Sequence, residues 1–421
     1  MDIPNAVSCI IQKLESAGFE AYAVGGCVRD RLLGRRPHDW DITTSAQPAD
    51  VKALFPHTFD TGIQHGTVTV LWAKTAYEVT TFRVDGAYRD YRRPESVAFT
   101  QNLVEDLRRR DFTINAMAYS QARGLVDPFG GERDLRQRLI RGVGDPVLRF
   151  REDALRMLRA IRFSSQLGFT IAPDTYAAIL SEAPLIAHVS RERLRDELCQ
   201  ILGSCAPEKL RLLLDTGLLV HMDKPLHAYL TQYAAEIDKL SVWVKDEKDE
   251  ASKSELLLRL AFLLHFMPVT EAEALLRSFH FSNKEVATVT MLIAHVSDPL
   301  PLSPYEVRKQ LGALGADTSQ ALLTLQGAVA KVEGAGALAQ FEQQAAQARA
   351  LRAASLTNQD PLALADLRIN GRALQAMGLQ GKQIGAALQY LLDMVWQNPD
   401  QNEPEALRAA ALAFDETHGN I

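Results

Sequence analysis

The chain contains few cysteines and no long hydrophobic segment. Its 421 residues include four cysteines, which show neither CxxC spacing nor the density of a disulfide scaffold. The most apolar stretch, residues 256–269, is interrupted by Arg259 and His265 and is too short to cross a membrane. No basic segment followed by an apolar one opens the chain, so we expect no signal peptide. These absences predict a reduced, cytoplasmic protein without membrane association.

Lysine is absent from one strongly basic segment. Residues 83–162 contain 17 arginines, no lysine and 12 acidic residues, although the whole chain has a net charge of −6. The planar guanidinium group binds phosphate in a bidentate manner, whereas the lysine ammonium is a point charge. Two interpretations are open for this segment, a salt-bridged helical surface and a site for a polyanion. The ten histidines form no zinc-binding motif, so zinc-dependent catalysis is not predicted.

The sequence patterns divide the chain into an α/β part and a helical part. Residues 1–144 alternate between helical and strand-like segments, which predicts a mixed sheet covered by helices. The main predictions there are strands at 21–24, 41–44, 67–72 and 77–84 and helices at 5–17, 48–55 and 104–119. The polar segment 85–100, which contains Arg89, Arg92 and Arg93, is predicted to be a mobile loop. A helix is predicted over 145–167, and the remaining chain is predicted to be all-α.

A pair of glycines precedes two closely spaced carboxylates. Gly25 and Gly26 separate a strand from a helix, where backbone N–H groups can approach an anion, and Arg29 lies one turn into that helix. Asp39 and Asp41 are two residues apart in an extended segment, so their side chains project to the same face. Hard oxygen ligands in such a pair favour Mg²⁺ and suit phosphoryl or nucleotidyl transfer.

Glu78 is the candidate for a third carboxylate of this site. It lies in a strand rich in β-branched residues, where an inward-facing glutamate needs a partner such as a metal ion. The alternative, a solvent-facing strand residue, is equally open.

Arg110, Asp111 and Asn115 form a second candidate site. The four-residue spacing places Asp111 and Asn115 on one face of the predicted helix. This pair would hydrogen-bond ribose hydroxyls while Arg110 contacts phosphate. The alternative is an ordinary helix start with an aspartate in its first turn.

Asp153, Arg156, Arg159 and Arg162 recur every third residue and form a polar stripe on a predicted helix. One interpretation is an exposed i,i+3 ion pair. The other is base recognition, because cytosine and adenine both present an amine donor beside a ring-nitrogen acceptor, whereas guanine and uracil present the reverse. An aspartate acceptor and an arginine donor would select C and A. Arg159 and Arg162 would then be spare for a triphosphate.

Several motifs, taken in order, resemble those of bacterial class II tRNA nucleotidyltransferases, which are CCA-adding enzymes of the polymerase-β superfamily. The matching segments are GGCVRDRLLG, DWD, HGTVTV, EVTTFR, DGAYRDYRRPESVAF, RRDFTINAMAY, DPFGGERDL, REDALRMLRAIRF and SRERLRDEL. The resemblance covers residues 20–200 closely, with a weaker DLRING element at 366–371.

The resemblance implies a role for each matching residue. The metal-binding carboxylates fall on Asp39 and Asp41, with Asp41 or Glu78 helping to activate the nucleophile. Nucleotide contacts fall on Gly26, Arg29, Arg110, Asp111 and Asn115, and base recognition falls on Asp153 and Arg156, with Arg159 and Arg162 nearby. The implied fold is a polymerase-β-like α/β head (1–144), followed by a helical neck that recognises the base (145–203), a helical body (204–298) and a helical, tRNA-binding tail (299–421).

The implied activity is the template-independent addition of C, C and A to the 3′ end of tRNA. CTP and ATP would be the substrates, Mg²⁺ the cofactor and pyrophosphate the product, in a monomer or homodimer. The alternatives are a relative that adds only CC or only A, a poly(A) polymerase, and a catalytically inactive tRNA-binding module. We favour full CCA addition because relatives that add only CC lack part of the 85–100 loop, which is complete here.

Overall fold

The computed structural model of the protein describes residues 1–86, 96–244 and 251–418. The chain forms two compact units. Unit 1 comprises Met1–Leu256 and Leu275–His280, and unit 2 comprises Leu257–Ala274 and Phe281–Ile421. The central part of the predicted mobile loop, with Arg89, Arg92 and Arg93, lies outside the described residues. Within the described residues, no helix is long and apolar enough to cross a membrane.

A mixed seven-stranded sheet forms the centre of unit 1. The described residues contain eleven strands, of which seven form the large sheet and four form two separate pairs. They are β1 (Ala21–Val24), β2 (Ile42–Thr44), β3 (Thr58–Gly62), β4 (Thr67–Trp72), β5 (Thr75–Thr81), β6 (Arg83–Asp85), β7 (Val97–Phe99), β8 (Ala118–Ser120), β9 (Gly124–Val126), β10 (Leu139–Ile140) and β11 (Thr170–Ile171). The order in the large sheet is β3-β4-β5-β2-β1-β8-β9. Strands β2 and β5 are parallel, with Ile42 paired with Val79, and the other neighbouring pairs are antiparallel.

Three helices accompany the first strands, namely α1 (Asn5–Ser16), α2 (Gly26–Leu32) and α3 (Pro48–Leu54). Helix α1 packs against β1 and buries Val7, Ile10, Ile11 and Leu14, which recur at the three- and four-residue spacing of one helix face. All four residues of β1 are buried. A strand covered in this way is rigid, and it ends directly before the glycine pair.

The rest of unit 1 is mainly helical. The helices are α4 (Leu103–Arg108), α5 (Gly131–Gln137), α6 (Pro146–Glu152), α7 (Leu155–Leu167), α8 (Pro173–Glu182), α9 (Arg191–Leu202), α10 (Leu212–Asp215), α11 (Leu218–Met222), α12 (Lys224–Gln232) and α13 (Ala234–Asp238). Short 3₁₀ turns occur at Ile63–His65, Thr113–Asn115, Ala183–His188, Pro207–Arg211 and Lys239–Trp243. Helices α7 and α9 pack against each other.

Unit 2 is helical throughout its described residues. Two helices contain residues of both units, α14 (Lys253–Leu264) and α15 (Val269–Ser278), and the others are α16 (Asn283–His295), α17 (Pro304–Leu314), α18 (Ala316–Glu333), α19 (Ala335–Thr357), α20 (Gly371–Ala376), α21 (Lys382–Gln397) and α22 (Pro404–His418). Further 3₁₀ turns lie at Leu364–Asp366 and Pro399–Gln401. One apolar cluster, which includes Leu374, Leu391, Val395 and Leu407, is almost completely buried among α20, α21 and α22.

The predicted α/β part followed by a helical part is confirmed, but some predicted elements are wrong in detail. The strand predicted at 77–84 is interrupted at the buried Phe82, and β6 pairs with β7 in a separate ribbon. The helix predicted at 104–119 ends at Arg108, because Phe112 bridges to Gly142 in an extended conformation. Strand β11, which pairs with β10, interrupts the part predicted to be all-α.

The helix predicted at 145–167 is divided into α6 and α7. Asp145 caps α6 as predicted, since its side chain accepts from the backbone N–H of Val147. Asp153, however, has an extended backbone with φ −140° and ψ 104°, and its Oδ1 accepts from the N–H of Leu155 at 3.1 Å. An aspartate side chain that binds the backbone two residues ahead competes with helix continuation. Asp153 therefore lies at a break between helices and not on a continuous stripe.

Candidate functional site

The predicted carboxylates lie in one open cleft of unit 1. Asp39, Asp41 and Glu78 line this cleft, whose volume is about 1120 Å³. Asp41 directly precedes β2, and Glu78 occupies the neighbouring register position on β5, because Ile42 pairs with Val79. The parallel pairing of β2 and β5 thus brings residues from distant parts of the sequence to one edge of the cleft.

Opposing charges act on the carboxylate of Asp41. Desolvation by the surrounding protein raises its pKa, Arg110 lowers it, and Asp39 raises it. The side chain is accessible to solvent, yet the cleft removes part of its hydration and a second carboxylate adds repulsion. A divalent cation between the two aspartates would relieve both effects.

Glu78 is exposed on β5, opposite Thr69 of β4. It is therefore solvent-facing and cleft-lining at the same time. In the part of the chain that the structure describes, no group of three or more His, Cys, Asp or Glu residues is arranged to hold a metal ion. The candidate metal ligands are accordingly the two aspartates, and Glu78 stays a predicted helper in activating the nucleophile.

The glycine pair allows an arginine side chain to approach the backbone closely. Gly25 has φ +81°, and a Cβ atom there would lie 2.9 Å from Nη1 of Arg110. Gly26 is the first residue of α2, and a Cβ there would meet Nη2 of Arg29 at 3.7 Å, an ordinary contact distance. Both the backbone conformation and the packing therefore require glycine at Gly25. The requirement is weaker at Gly26, although Gly26 is the position that the family motif indicates.

Arg110 lies close to both the glycine pair and the carboxylates. Its Nη2 is 3.8 Å from Oδ2 of Asp106, and its buried Nε has no hydrogen-bond partner among the described residues. Burial lowers the pKa of this guanidinium, and the opposing effects of Asp106 and Asp41 are smaller. The Arg110 side chain is 20% exposed, and a partly exposed guanidinium beside the cleft carboxylates is suited to an anionic ligand such as a phosphate group.

A continuous hydrogen-bond network joins Arg29, Asn115, Asp111 and Arg159. Nη1 of Arg29 donates to Oδ1 of Asn115 at 2.8 Å, and Nδ2 of Asn115 donates to Oδ1 of Asp111 at 3.3 Å. Nε and Nη2 of Arg159 donate to Oδ2 of Asp111 at 2.8 and 2.6 Å. Asp111 and Asn115 are therefore in contact even though they do not share the predicted helix.

The pairing with Arg159 keeps Asp111 ionised. Desolvation raises the pKa of the buried carboxyl group, but the charge of Arg159 and its hydrogen bonds outweigh this effect, and the pKa falls to about 2. The network therefore holds a fixed negative charge next to several cations at neutral pH.

Asp153 is held in place from two sides. Besides the bond from the backbone of Leu155, its Oδ2 accepts from Nη2 of Arg193 at 2.9 Å. Its ion-pair partner is thus Arg193 of α9 and not Arg156, which removes the alternative of a simple i,i+3 pair on one helix. Each carboxylate oxygen retains a further lone pair that can accept a hydrogen bond.

Arg156 is held by three hydrogen bonds. Its Nη1 donates to Oε2 of Glu152 at 2.6 Å and to the carbonyl of Arg149 at 3.1 Å, and its Nη2 donates to the carbonyl of Arg109 at 2.9 Å. A guanidinium has five N–H donors, so two remain without a hydrogen bond to any described residue. These two donors are the ones that a base could use.

The expectation that Arg159 and Arg162 are spare cations is wrong. Arg159 pairs with Asp111, and Nε of Arg162 donates to Oε2 of Glu197 at 2.6 Å, because a largely buried guanidinium requires a counter-charge. Three guanidinium carbons also surround the ring of Phe163, at 5.3, 5.5 and 4.1 Å from its centroid (Arg29, Arg159 and Arg162). The arginine cluster is thus organised around an aromatic ring.

Sequence analysis did not assign Arg193 or Phe163 to the site. Arg193 is 40 residues from Asp153, so no helical periodicity relates the two, although its segment belongs to a quoted motif. Phe163 has the pattern of an ordinary apolar residue of α7. Only Glu152 carried a usable signal, because its four-residue spacing to Arg156 predicts contact on a helix.

The chain matches two family models. Residues 21–141 match the family described as "Poly A polymerase head domain", and residues 168–230 match the one described as "Probable RNA and SrmB- binding site of polymerase A". The first range contains the carboxylates and Arg110, and the second contains Arg193.

Known CCA-adding enzymes are similar to the chain over nearly its full length. The CCA-adding enzyme of Geobacillus kaustophilus (strain HTA426) is 39% identical over 414 residues, which cover 97% of this chain and 96% of that protein. The crystal structure of the Bacillus stearothermophilus CCA-adding enzyme in complex with CTP superposes with a TM-score of 0.83 at 34% identity and covers 100% of this chain and 99% of that one. The Thermotoga maritima CCA-adding enzyme complexed with tRNA shares the fold, with a TM-score of 0.62, 20% identity and coverage of 97% and 95%. The chain therefore belongs to the bacterial class II CCA-adding enzymes, and its activity is that of a CCA-adding nucleotidyltransferase.

Proposed function

We propose that the chain adds C, C and A in turn to the 3′ end of tRNA, using CTP and ATP without a nucleic-acid template and releasing pyrophosphate. The observation that carries the proposed reaction is the position of Arg110. Its partly exposed guanidinium lies against the backbone at Gly25, and its charge acts on the carboxylate of Asp41. A triphosphate bound there would lie beside the carboxylates that the chemistry needs.

Asp39 and Asp41 would hold Mg²⁺ in this proposal. Both offer hard oxygen ligands, and the raised pKa of Asp41 fits a pair of carboxylates that a cation stabilises. When bound, the metal supplies charge neutralisation at the phosphates and a more acidic 3′-hydroxyl group. Glu78, on the neighbouring strand and in the same cleft, is proposed to accept a proton from the attacking hydroxyl.

The network behind the glycine pair is proposed to bind the sugar and phosphates of the incoming nucleotide. Oδ1 of Asn115, which accepts one bond from Arg29, keeps a lone pair for a ribose hydroxyl, and Arg29 supplies charge at the start of α2. The oxygens of Asp111 already accept two hydrogen bonds each, so Asp111 would bind a ribose hydroxyl by exchanging one of them. Arg159 fixes the carboxylate of Asp111, so this charge is preorganised before a nucleotide arrives. Arg162, paired with Glu197, supports the same cluster from α7.

Asp153 and Arg156 are proposed to recognise the base. The remaining lone pairs of Asp153 accept from the exocyclic amine of C or A, and the two remaining donors of Arg156 reach the adjacent ring nitrogen. Guanine and uracil present a carbonyl group and a ring N–H in those positions, so each would leave polar groups unpaired. This complementarity accounts for the choice of C and A without a template strand.

The division into a head (1–144), neck (145–203), body (204–298) and tRNA-binding tail (299–421) belongs to the same proposal. So do the cytoplasmic location and the monomeric or homodimeric state expected from the sequence. Support for RNA as the polymer substrate comes from the family match at 168–230 and from the near full-length CCA-adding relatives.

The test is to incubate tRNA that ends before CCA with all four nucleoside triphosphates and Mg²⁺, and to sequence the product ends. Products that end in CCA support the proposal. Products that end in CC, in a single added A or in poly(A), or tRNA that is not extended, would contradict the proposed reaction.

Two variants test the proposed metal ligands in the same assay. Asp39→Ala and Asp41→Ala should each abolish extension while the fold is retained. The matched control is Asp60→Ala on β3, which removes a carboxylate that pairs with Lys52 at the surface and should leave extension unchanged. Near-normal turnover by a folded Asp41→Ala protein would refute the proposed metal site.

A further inference from the structure

Asp106 is completely buried in α4 and is held by contacts from two other segments and from the residues that follow α4. Its Oδ2 accepts from Oγ1 of Thr43 at 3.2 Å. Its Oδ1 accepts from the backbone N–H of Arg83 at 3.3 Å and from Nε of Arg109 at 2.9 Å. A buried carboxylate is stable only when it is paired and hydrogen-bonded. Asp106 is paired with Arg109 nearby in sequence and is hydrogen-bonded by Thr43 and Arg83, which are distant in sequence.

The contacts of Asp106 extend to the strand that follows the proposed metal ligand Asp41 and to the proposed triphosphate ligand Arg110. Thr43 lies on β2, two residues after Asp41. Arg110, the proposed triphosphate ligand, has Nη2 at 3.8 Å from Oδ2 of Asp106, and Asp106 is the charge that most favours the cationic form of this guanidinium.

The third contact of Asp106 leads to base recognition. Arg109, whose side chain is bound to Asp106, offers its backbone carbonyl to Nη2 of Arg156 at 2.9 Å. A displacement of Arg109 therefore displaces one of the three acceptors that orient Arg156. One buried carboxylate thus connects the catalytic strand, the phosphate ligand and the base-reading arginine.

We propose that Asp106 is a positioning residue that sets Arg110 and Arg156 relative to Asp41. The inference rests on the proposed function of those residues and adds one that neither the motifs nor the spacing identified. Asp106 touches neither the substrate nor the metal in this scheme. It acts through the side chains that do.

The isosteric variant Asp106→Asn removes the charge and turns one acceptor into a donor. At the position of Oδ2 that donor faces Nη2 of Arg110, which can only donate. The Thr43 hydroxyl can accept from the amide while it donates to the carbonyl of Thr80 at 3.3 Å.

In this variant Arg109 keeps, among the described residues, only its longer ion pair with Asp85 at 3.9 Å, and Arg110 loses its nearest carboxylate. The two guanidinium groups repel each other more strongly and lose the anchor that holds them, so both arginines move away from their positions. A displacement of about 1 Å in such a site costs on the order of a hundredfold in rate.

The experiment compares four full-length proteins, wild type, Asp106→Asn, Arg156→Ala and the control Asp223→Asn. Asp223 is also a buried carboxylate of unit 1, bonded by Nη1 of Arg191 at 2.9 Å and by the N–H of Leu226 at 2.8 Å. The control therefore reproduces the loss of one buried charge at a place with no described contact to the site. Each protein is assayed for thermal unfolding and for kcat and KM with CTP and with UTP on tRNA that ends before CCA.

We expect Asp106→Asn to lower the ratio of kcat/KM for CTP to that for UTP by about tenfold or more and to raise KM for CTP, in the same direction as Arg156→Ala. The control should keep the wild-type ratio even if its melting temperature falls equally. If Arg156→Ala lowers the ratio and Asp106→Asn behaves like the control, the role of Asp106 is refuted. If Arg156→Ala itself keeps the ratio, the proposed base recognition fails first, and the inference falls with it.

A second variant keeps the test valid if Asp106→Asn does not fold. Arg109→Met retains the backbone carbonyl and breaks the ion pair with Asp106 at 2.9 Å. It should lower the CTP-to-UTP ratio in the same direction and by a smaller factor, because Arg110 keeps its counter-charge. A wild-type ratio in folded Arg109→Met would overturn the proposed route from Asp106 to Arg156.

Discussion

The ion pair between Asp111 and Arg159 leads to a quantitative prediction for the free energy of unfolding. The carboxyl group of Asp111 is 8% exposed, and its pKa falls from 3.8 to about 2 in the folded protein. A lowered carboxylate pKa stabilises the folded state above the pKa of the unfolded chain, and this contribution disappears as the pH falls through the folded value. This difference in the pKa of Asp111 corresponds to a contribution of roughly 2 kcal/mol to the free energy of unfolding at neutral pH.

The perturbation is Asp111→Asn, which leaves Arg159 without its counter-ion. We expect the free energy of unfolding of this variant to be lower than that of the wild type by about 2 kcal/mol at pH 7. This difference in stability should become smaller between pH 4 and pH 2, where the wild-type carboxylate takes up its proton. The assay is urea unfolding followed by tryptophan fluorescence at fixed ionic strength across this pH range.

A double-mutant cycle separates the pair from other effects of the substitution. Arg159→Met and the Asp111→Asn/Arg159→Met double variant complete the cycle, and their coupling energy at pH 7 should be about 1–3 kcal/mol. A coupling near zero, or a stability gap that does not change between pH 7 and pH 2, would refute the assignment of the lowered pKa to this ion pair.

The remaining predictions concern three other positions. Asp41→Asn should unfold at an equal or slightly higher temperature than wild type in Mg²⁺-free buffer at pH 7. The reason is that the raised pKa of Asp41 makes its ionised form destabilising above that pKa, and a clear loss of stability would contradict this sign. Arg193→Ala should increase UTP incorporation, because Asp153 loses the arginine that binds it at 2.9 Å. An unchanged frequency of U in the sequenced products would argue against this role of Arg193. Gly25→Ala should raise KM for CTP well beyond Gly124→Ala, a control with φ +73° and open space, and equal KM values would show that backbone strain alone matters.

In the α/β part, a strand or helix could be predicted from the sequence where the residues within that one segment determine it. The strand at 21–24 and the strand at 67–72 have the predicted bounds, and Asp145 caps its helix as predicted. In these cases the signal is local, since alternation, capping and glycine position depend on neighbouring residues. Prediction failed at Phe112, where a bridge to Gly142 fixes an extended backbone inside an otherwise helical pattern.

The candidate site was predictable in its residue types and less so in its contacts. Asp39, Asp41 and the residues of the second motif could be identified because carboxylates and arginines at short spacing indicate chemistry. The partners Arg193 and Asp106 could not, because the first is 40 residues from its carboxylate and the second lies in a short helix as one acidic residue among several. Such contacts depend on how helices pack, which periodicity within one segment does not encode.

The break at Asp153 changes the physical account of the proposed base selection. A stripe on one continuous helix would place Asp153 and Arg156 at positions set by helix geometry alone, and a small rotation of that helix would displace both. Instead, Asp153 is fixed by the N–H of Leu155 and by Arg193 on α9. Arg156 is fixed by Glu152 and by the carbonyl of Arg109, the residue that follows α4. The backbones of the two residues are joined by the N–H of Arg156, which donates to the carbonyl of Asp153 at 3.0 Å, while the side-chain groups proposed to meet the base are anchored to different elements. In the proposed function, where one site serves C twice and A once, this separate anchoring would let the recognition groups adjust when those elements shift.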